Sequence, residues 1–322
     1  MKIALVDVDG HNYPNLALMK LSAWHKMQGD AVEWYSPLFS HPDKIYASKV
    51  FTFTPDYVDY SAGDPEPIKG GTGYRMYQDL PEYIDSVKPD YSLYPQYEFA
   101  VGFLSRGCIR NCPWCVVPKK EGIIRRHDDI ERISQGRKHL VLMDNNFLAN
   151  DREFVREQLE KARRSGYSID FNQGLDARLV DEENSRWLAA CRWRAATGNN
   201  SYIRFSCDTA AMVKPVQRAI RLLRRCYKGK FFIYFLAAEV EETLWRIREI
   251  MNTDAKINPF VMPYRDFGRS GEIVDPGLAD LARWCNSPAI RKSGSKKRQK
   301  NGDVTSAALR VWLKMKGFEV KK

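Results

Sequence analysis

Phe99-Ala100-Val101-Gly102-Phe103-Leu104-Ser105-Arg106-Gly107-Cys108-Ile109-Arg110-Asn111-Cys112-Pro113-Trp114-Cys115 runs an apolar strand directly into three cysteines spaced C-x3-C-x2-C. From here onward the chain alternates regularly. Apolar strands are expected at 100–104, 140–143, 168–171, 202–205, 231–236 and 256–261, with amphipathic helices between them. Asn150-Asp151-Arg152-Glu153 has the form of a helix start, and Gly166 of a helix stop. Val216, Ala219, Ile220, Leu223 and Tyr227 mark one face of a later helix, and Arg218, Arg221, Arg224, Arg225 and Lys228 its other face. A solvated outer surface accounts for those charges. Six strand–helix units imply a parallel sheet with right-handed crossovers and are too few to close an eight-stranded barrel. The expectation is a partial (βα)6 barrel of the TIM type, with its site at the carboxyl ends of the strands. The cysteines follow the first of those ends.

Residues 1–95 read differently, as a small Rossmann-like α/β domain. Strands are expected at 2–8, 31–35, 45–53 and 91–94, a helix at 16–27 stopped by Gly29, and a short helix near 81–87. The Pro- and Gly-rich stretch from Pro55 to Gly73 reads as a loop, either a flexible linker or a lid. It lacks the Gly-Lys-Ser/Thr of a phosphate-binding loop. The organisation is therefore 1–95, a barrel at 96–275, and an extension at 276–322.

The 322 residues are 44% hydrophobic and 12% aromatic, enough for a buried core in each domain. The sequence has no apolar run long enough to span a membrane. Met1–Asp7 is too soon acidic for a signal peptide, so a cytoplasmic location is expected. There, clustered thiols indicate metal or redox chemistry over disulfides. Cys191, Cys207, Cys226 and Cys285 stand singly in apolar patterns and read as core. The net charge is +11, and from Asn286 onward eleven Lys/Arg face two acidic residues. A nucleic-acid partner for this tail and a merely solvated tail are both open.

Two metal readings meet at Cys108, Cys112 and Cys115. Structural zinc takes four ligands in a closed tetrahedron, and His127 would complete a Cys3His set. An iron–sulfur cube takes three thiolates and keeps one iron open. The absence of a second C-x2-C pair and the position on a barrel rim favour the cube.

The triplet, with Trp114 before its last cysteine and Gly102-Phe103-Leu104-Ser105-Arg106-Gly107 before its first, resembles the radical S-adenosylmethionine superfamily. The resemblance covers roughly residues 99–267 and extends to the type with an N-terminal cobalamin-binding-like domain. It implies a 4Fe-4S cluster on Cys108, Cys112 and Cys115, with S-adenosylmethionine chelating the open iron. Cleavage to a 5′-deoxyadenosyl radical and abstraction of a substrate hydrogen would follow, with flavodoxin or ferredoxin as reductant. Trp114 is implied near the adenine. Asp144, Asn145 and Asn146 match the position that meets the methionine amino group, although the usual Gly-Gly-Glu is missing. Asn172-Gln173-Gly174-Leu175-Asp176-Ala177-Arg178 resembles a segment of the cobalamin-domain type, which brings in Arg178, and Ser206 and Asp208 close the fourth strand toward ribose or carboxylate. Asp9-Gly10-His11-Asn12-Tyr13-Pro14 is similar to the cobalamin signature Asp-x-His-x-x-Gly, with His11 at the cobalt-ligand position and Pro14 replacing the glycine. Gly70-Gly71-Thr72-Gly73 resembles the later glycine pair of such domains. The tail leans the substrate toward a nucleic acid or nucleotide. A small molecule or peptide modified by the same chemistry is one alternative. A non-catalytic iron–sulfur or zinc protein that binds nucleic acid is the other.

Overall fold

The computed structural model describes residues 1–196, 198, 200–265, 273 and 276–287. The basic run from Arg291 onward lies outside the described residues. Two compact units are present, one of residues 1–146 with 164–169, the other of the remainder.

The first unit begins with a parallel sheet of β1 (Lys2–Asp7), β2 (Ala31–Trp34), β3 (Lys44–Ser48) and β4 (Ile68–Gly70), in the order β2-β1-β3-β4. Ile3, Ala4 and Leu5 are at most 1% exposed, as expected of a parallel strand covered on both faces. Helix α1 (Leu16–Met27) connects β1 to β2. Asn15 caps it by accepting from the Leu18 N–H at 3.3 Å. The expected strand at 45–53 ends early, at Ser48. The Asp9 carboxylate takes the N–H groups of Val50 and Phe51 that a ladder would need. Helix α2 (Glu82–Asp85) follows.

The strand expected at 91–94 is instead a 3-10 turn, Tyr91–Leu93. Asp90 accepts from the Ser92 N–H at 2.9 Å, a local bond that bends the backbone away from an extended run. The turn buries Tyr91, Leu93 and Tyr94, and Tyr94 donates to Asp7 at 2.7 Å.

β5 (Ala100–Gly102) opens the barrel segment, followed by β6 (Ser105–Arg106), α3 (Val117–Lys120), β7 (Arg125–Arg126), α4 (Ile130–Ser134) and β8 (His139–Leu142). β5 and β8 pair in parallel, with Val101 opposite Val141. The single strand expected at 100–104 is divided. Beyond Gly102 the N–H groups of Leu104 and Ser105 turn to a side chain, and β6 pairs antiparallel with β7.

The second unit holds most of α5 (Arg152–Arg164) and the end of β9 (Ser168–Phe171). It continues with α6 (Glu182–Ala190), β10 (Arg192–Trp193), β11 (Tyr202–Ser206), α7 (Val213–Arg224), β12 (Lys230–Ala237), α8 (Val240–Met251), β13 (Ile257–Pro263) and α9 (Pro276–Asn286). β11, β12 and β13 form a parallel sheet in that order, with Phe205 opposite Ile233 and Ile233 opposite Pro259. Alternate residues Phe231, Ile233, Phe235 and Ala237 are fully buried, whereas Phe232, Tyr234 and Leu236 are half-buried. Each phenylalanine so buried contributes about 1.5–3 kcal/mol.

The expected unbroken run of six strands has a seam. Among the described residues the backbone pairing between the third and fourth barrel strands is one bridge, Leu175 to Phe205, because the chain turns at Asn172–Gly174 before it meets β11. Side chains close the gap. Arg204 forks onto Asp170 through Nε at 2.5 Å and Nη2 at 2.8 Å, with Asp170 fully buried.

Candidate active site

A small closure holds the cysteine loop at its base. β6 and β7 clamp its two ends, and the Cys108 N–H donates to the Gly122 carbonyl at 3.1 Å. Gly107 makes this possible. Its φ is +88°, and a Cβ there would stand 2.2 Å from the Ile123 carbonyl oxygen. Arg106 binds Glu121 across the loop through two hydrogen bonds, of 2.8 and 2.9 Å, and reaches Asp85 at 3.3 Å. Asp85 also binds Lys20 at 2.7 Å. Opposing charges around it hold the Asp85 carboxyl below its usual range against the effect of burial. Sequence reasoning passed over Arg106 and Glu121. Their signal was that Glu121 is the sole carboxylate from Cys108 to Arg126.

The segment after β8 grips the same loop from within the first unit. Asp144, 1% exposed, accepts from the Leu104 N–H at 3.1 Å and from the Ser105 N–H and hydroxyl at 2.7 Å each. Burial pushes its carboxyl up to about 7 despite these donors. The resemblance implied a contact from Asp144 to a methionine amino group. In the structure its carboxylate accepts from two backbone N–H groups and the Ser105 hydroxyl. Asn145 accepts from the Gly107 N–H at 3.0 Å. Asn146 Nδ2 donates to Cys108 Sγ at 3.3 Å, and the Arg110 N–H meets the same sulfur at 3.3 Å.

Two N–H donors meet this one sulfur, and contacts of this kind tune iron–sulfur potentials. Cys108, Cys112 and Cys115 are unbridged and partly exposed. Among the described residues no three His, Cys, Asp or Glu side chains are already gathered as a metal-holding group. The loop therefore fits a cluster in the chemistry of its donors, not as a finished cage. His127 is engaged elsewhere: its Nε2 lies 4.0 Å from Asp85 and its ring packs edge-on against Phe103. Partial burial first, then the Arg106 charge, lowers its pKa. Trp114 is 39% exposed on the loop.

The other predicted residues belong to the second unit. Arg178 folds back on Asp176, Nε to Oδ1 at 2.7 Å and Nη2 to Oδ2 at 3.1 Å. Asp208 accepts from the Leu236 N–H at 3.1 Å. Burial raises its pKa, while that N–H, the Ser206 side chain and the charges of Arg246 and Arg178 oppose the rise. The second unit thus gathers Arg178, Ser206 and Asp208, and the first gathers Cys108 with Asp144, Asn145 and Asn146.

The N-terminal sheet has its switch point between β1 and β3, where open α/β sheets take ligands. The loops that follow these two strands are tied to each other there. The Asp9 carboxylate holds Val50, Phe51 and the Thr54 hydroxyl. Tyr35, Tyr57, Tyr60 and Tyr74 pack over Val6 and Ala47. Gly71, with φ +89°, lies against the backbone of Lys49, 2.4 Å from where a Cβ would stand. The His11 ring sits edge-on against Trp34 at 4.2 Å.

No family model and no curated protein matches the sequence. In fold, this chain is similar to TsrM. The radical S-adenosylmethionine methyltransferase TsrM from Kitasatospora setae, solved with its tryptophan substrate and the analogue aza-SAM, aligns at TM-score 0.57 and 13% identity. That match covers 81% of this chain and 72% of that chain. The TsrM structure with cobalamin and a [4Fe-4S] cluster gives 0.55 at 12% identity, over 81% and 74%. The fold expected from the sequence thus stands: an α/β chain with a Rossmann-like part and a partial TIM-type barrel. At the carboxyl ends of β1 and β3 the Asp9 carboxylate ties the two following loops together, and four tyrosines pack on the sheet beside them.

Proposed function

We propose that this chain is a radical S-adenosylmethionine enzyme, built as a Rossmann-like part at 1–95, a barrel at 96–275 and an extension from 276. One observation carries the reading: a C-x3-C-x2-C loop follows the first barrel strand, clamped by β6 and β7 and gripped by Asp144, Asn145 and Asn146. Cys108, Cys112 and Cys115 would hold the 4Fe-4S cluster. When bound, that cluster supplies the electron that splits S-adenosylmethionine into methionine and a radical able to take hydrogen from a substrate.

The chain's own work is positional. Asp144 fixes Leu104 and Ser105, and Asn145 fixes Gly107, so the first cysteine leaves the strand end in one direction. Asn146 and the Arg110 N–H partly neutralise the Cys108 sulfur. The Arg106–Glu121 fork keeps the base of the loop shut against water. In the second unit, Arg178, Ser206 and Asp208 offer the polar groups for the cofactor's ribose and carboxylate. Trp114 offers a ring for the adenine. No step runs through cobalamin, so the methyl transfer of TsrM is not carried over. A flavodoxin or ferredoxin would deliver electrons in the cytoplasm.

Anaerobic reconstitution tests the reading. The expected result is about four irons and four sulfides per chain, and 5′-deoxyadenosine on adding dithionite and S-adenosylmethionine. Cys112→Ala should lose both. Stoichiometric zinc without iron, and no deoxyadenosine, would sink it.

A further inference from the structure

A row of cations stands on the outside of the second unit. Lys214, Arg218, Arg221 and Arg225 follow one another at spacings of four, three and four along α7 and its C-cap, and all four are exposed. That spacing keeps them on one helical face over about 16 Å. The structure revises the membership expected from the sequence. Arg224 leaves the row, because its guanidinium turns to Asp254 at 2.6 and 2.8 Å and to the carbonyls of Tyr227 and Gly229. Lys214, one turn earlier, joins it.

The helix dipole favours Arg221 and Arg225 at the C-terminal end, but local stability does not explain the rest of the row. Lys214 sits in the first turn, where the helix dipole disfavours a cation, and that turn holds no acidic residue. Each neighbouring pair in the row places like charges at i,i+3 or i,i+4, which is also unfavourable. The other helices of this unit, α5, α6, α8 and α9, all carry acidic residues among their basic ones, and α7 carries none. Among the described residues Arg225 pairs with Glu182 at 3.0 Å, a contact exposed on both sides and easily exchanged. Arg218 donates to the carbonyls of Arg178 and Val180. A row this costly to the isolated helix is suited to an anionic partner that is itself linear.

We propose that the outer face of α7 is a nucleic-acid surface that tracks a phosphodiester backbone. A strand offers one phosphate per about 3.4 Å along its axis, so every cation of the row meets a phosphate without any fixed register. A folded acidic protein offers a patch instead of a line. The proposal stands on α7 alone and does not depend on the radical chemistry.

The test uses the full chain and a fluorescently labelled single-stranded RNA 20-mer, with binding followed by anisotropy from about 50 to 200 mM salt. Four phosphate contacts predict a log–log salt slope near −2.8, hence about 50-fold weaker binding across that range, at roughly 0.7 per phosphate. Lys214→Gln/Arg218→Gln/Arg221→Gln/Arg225→Gln should flatten the slope by that amount and keep its circular dichroism. Lys44→Gln/Arg156→Gln/Arg163→Gln/Arg248→Gln removes the same net charge elsewhere and should leave the slope in place. Absence of binding by the parent chain overturns the proposal. So does an equal loss in both variants, which would mean bulk charge, or an unchanged slope in the first, which would assign binding to the tail. Selective loss of binding to an acidic protein such as a flavodoxin, with RNA binding intact, overturns it as well.

Discussion

Asp144 gives the structure a sharp pH signature. Its carboxyl stands at about 7 in the folded chain against an ordinary value of 3.8, with burial the main cause. A folded pKa above the unfolded one means that the native state holds the proton more tightly. The associated stability is fully present below about pH 4 and is lost as pH rises through 7. At about 1.36 kcal/mol per pH unit, the loss approaches 4 kcal/mol over the whole window and about 3 kcal/mol from pH 4.5 to 7.5. Asp144→Asn cannot titrate, and its amide nitrogen would face an N–H donor at Leu104 or Ser105, which costs about 1–3 kcal/mol. Urea unfolding of parent and variant at pH 4.5, 5.5, 6.5 and 7.5 separates this residue from other titrating groups. The parent's advantage should shrink by about 3 kcal/mol across the series. Two curves that stay parallel would refute the assignment of a raised, buried carboxyl.

Three further expectations follow from the geometry. Gly107→Ala puts a methyl into the Ile123 carbonyl, so iron uptake on reconstitution should fall several-fold, as read by iron per chain; full uptake would mean the loop can open without loss. Asp170→Asn should cost about 3–5 kcal/mol by leaving Arg204 buried and unbalanced, while Asp170→Leu with Arg204→Met should recover much of it; equal losses by urea titration would contradict the fork. Hydroxocobalamin added to the chain should keep its free absorption spectrum, and a stoichiometric shift that disappears in His11→Ala would show the crevice to be open.

The barrel strands were legible because their apolar runs are bounded by helix starts and stops that the sequence states openly, as at Asp151 and Gly166. Ser168–Phe171 was read to the residue. The failures at strand ends share one cause. At Val50 and Phe51, at Ser92, and at Leu104 and Ser105, a carboxylate claims the backbone N–H groups, and hydrophobic pattern carries no record of that bond. The cysteines announced themselves by spacing. Their supports Arg106 and Glu121 did not, because an ion pair across 15 residues has no period. Asp144 was visible as a strand-end carboxylate, yet only the structure shows its burial and its bonds to Leu104 and Ser105.

The seam in the second unit has a mechanical consequence. A backbone ladder fastens two strands along their length, whereas the Arg204–Asp170 fork and the Leu175–Phe205 bridge fasten them over a short stretch. A join of that kind is a pivot. Beyond it, toward Ser206 and Asp208, a small rotation of one strand past the other would break no row of hydrogen bonds between the two. Such a rotation would leave the buried Asp170–Arg204 pair as its fixed point.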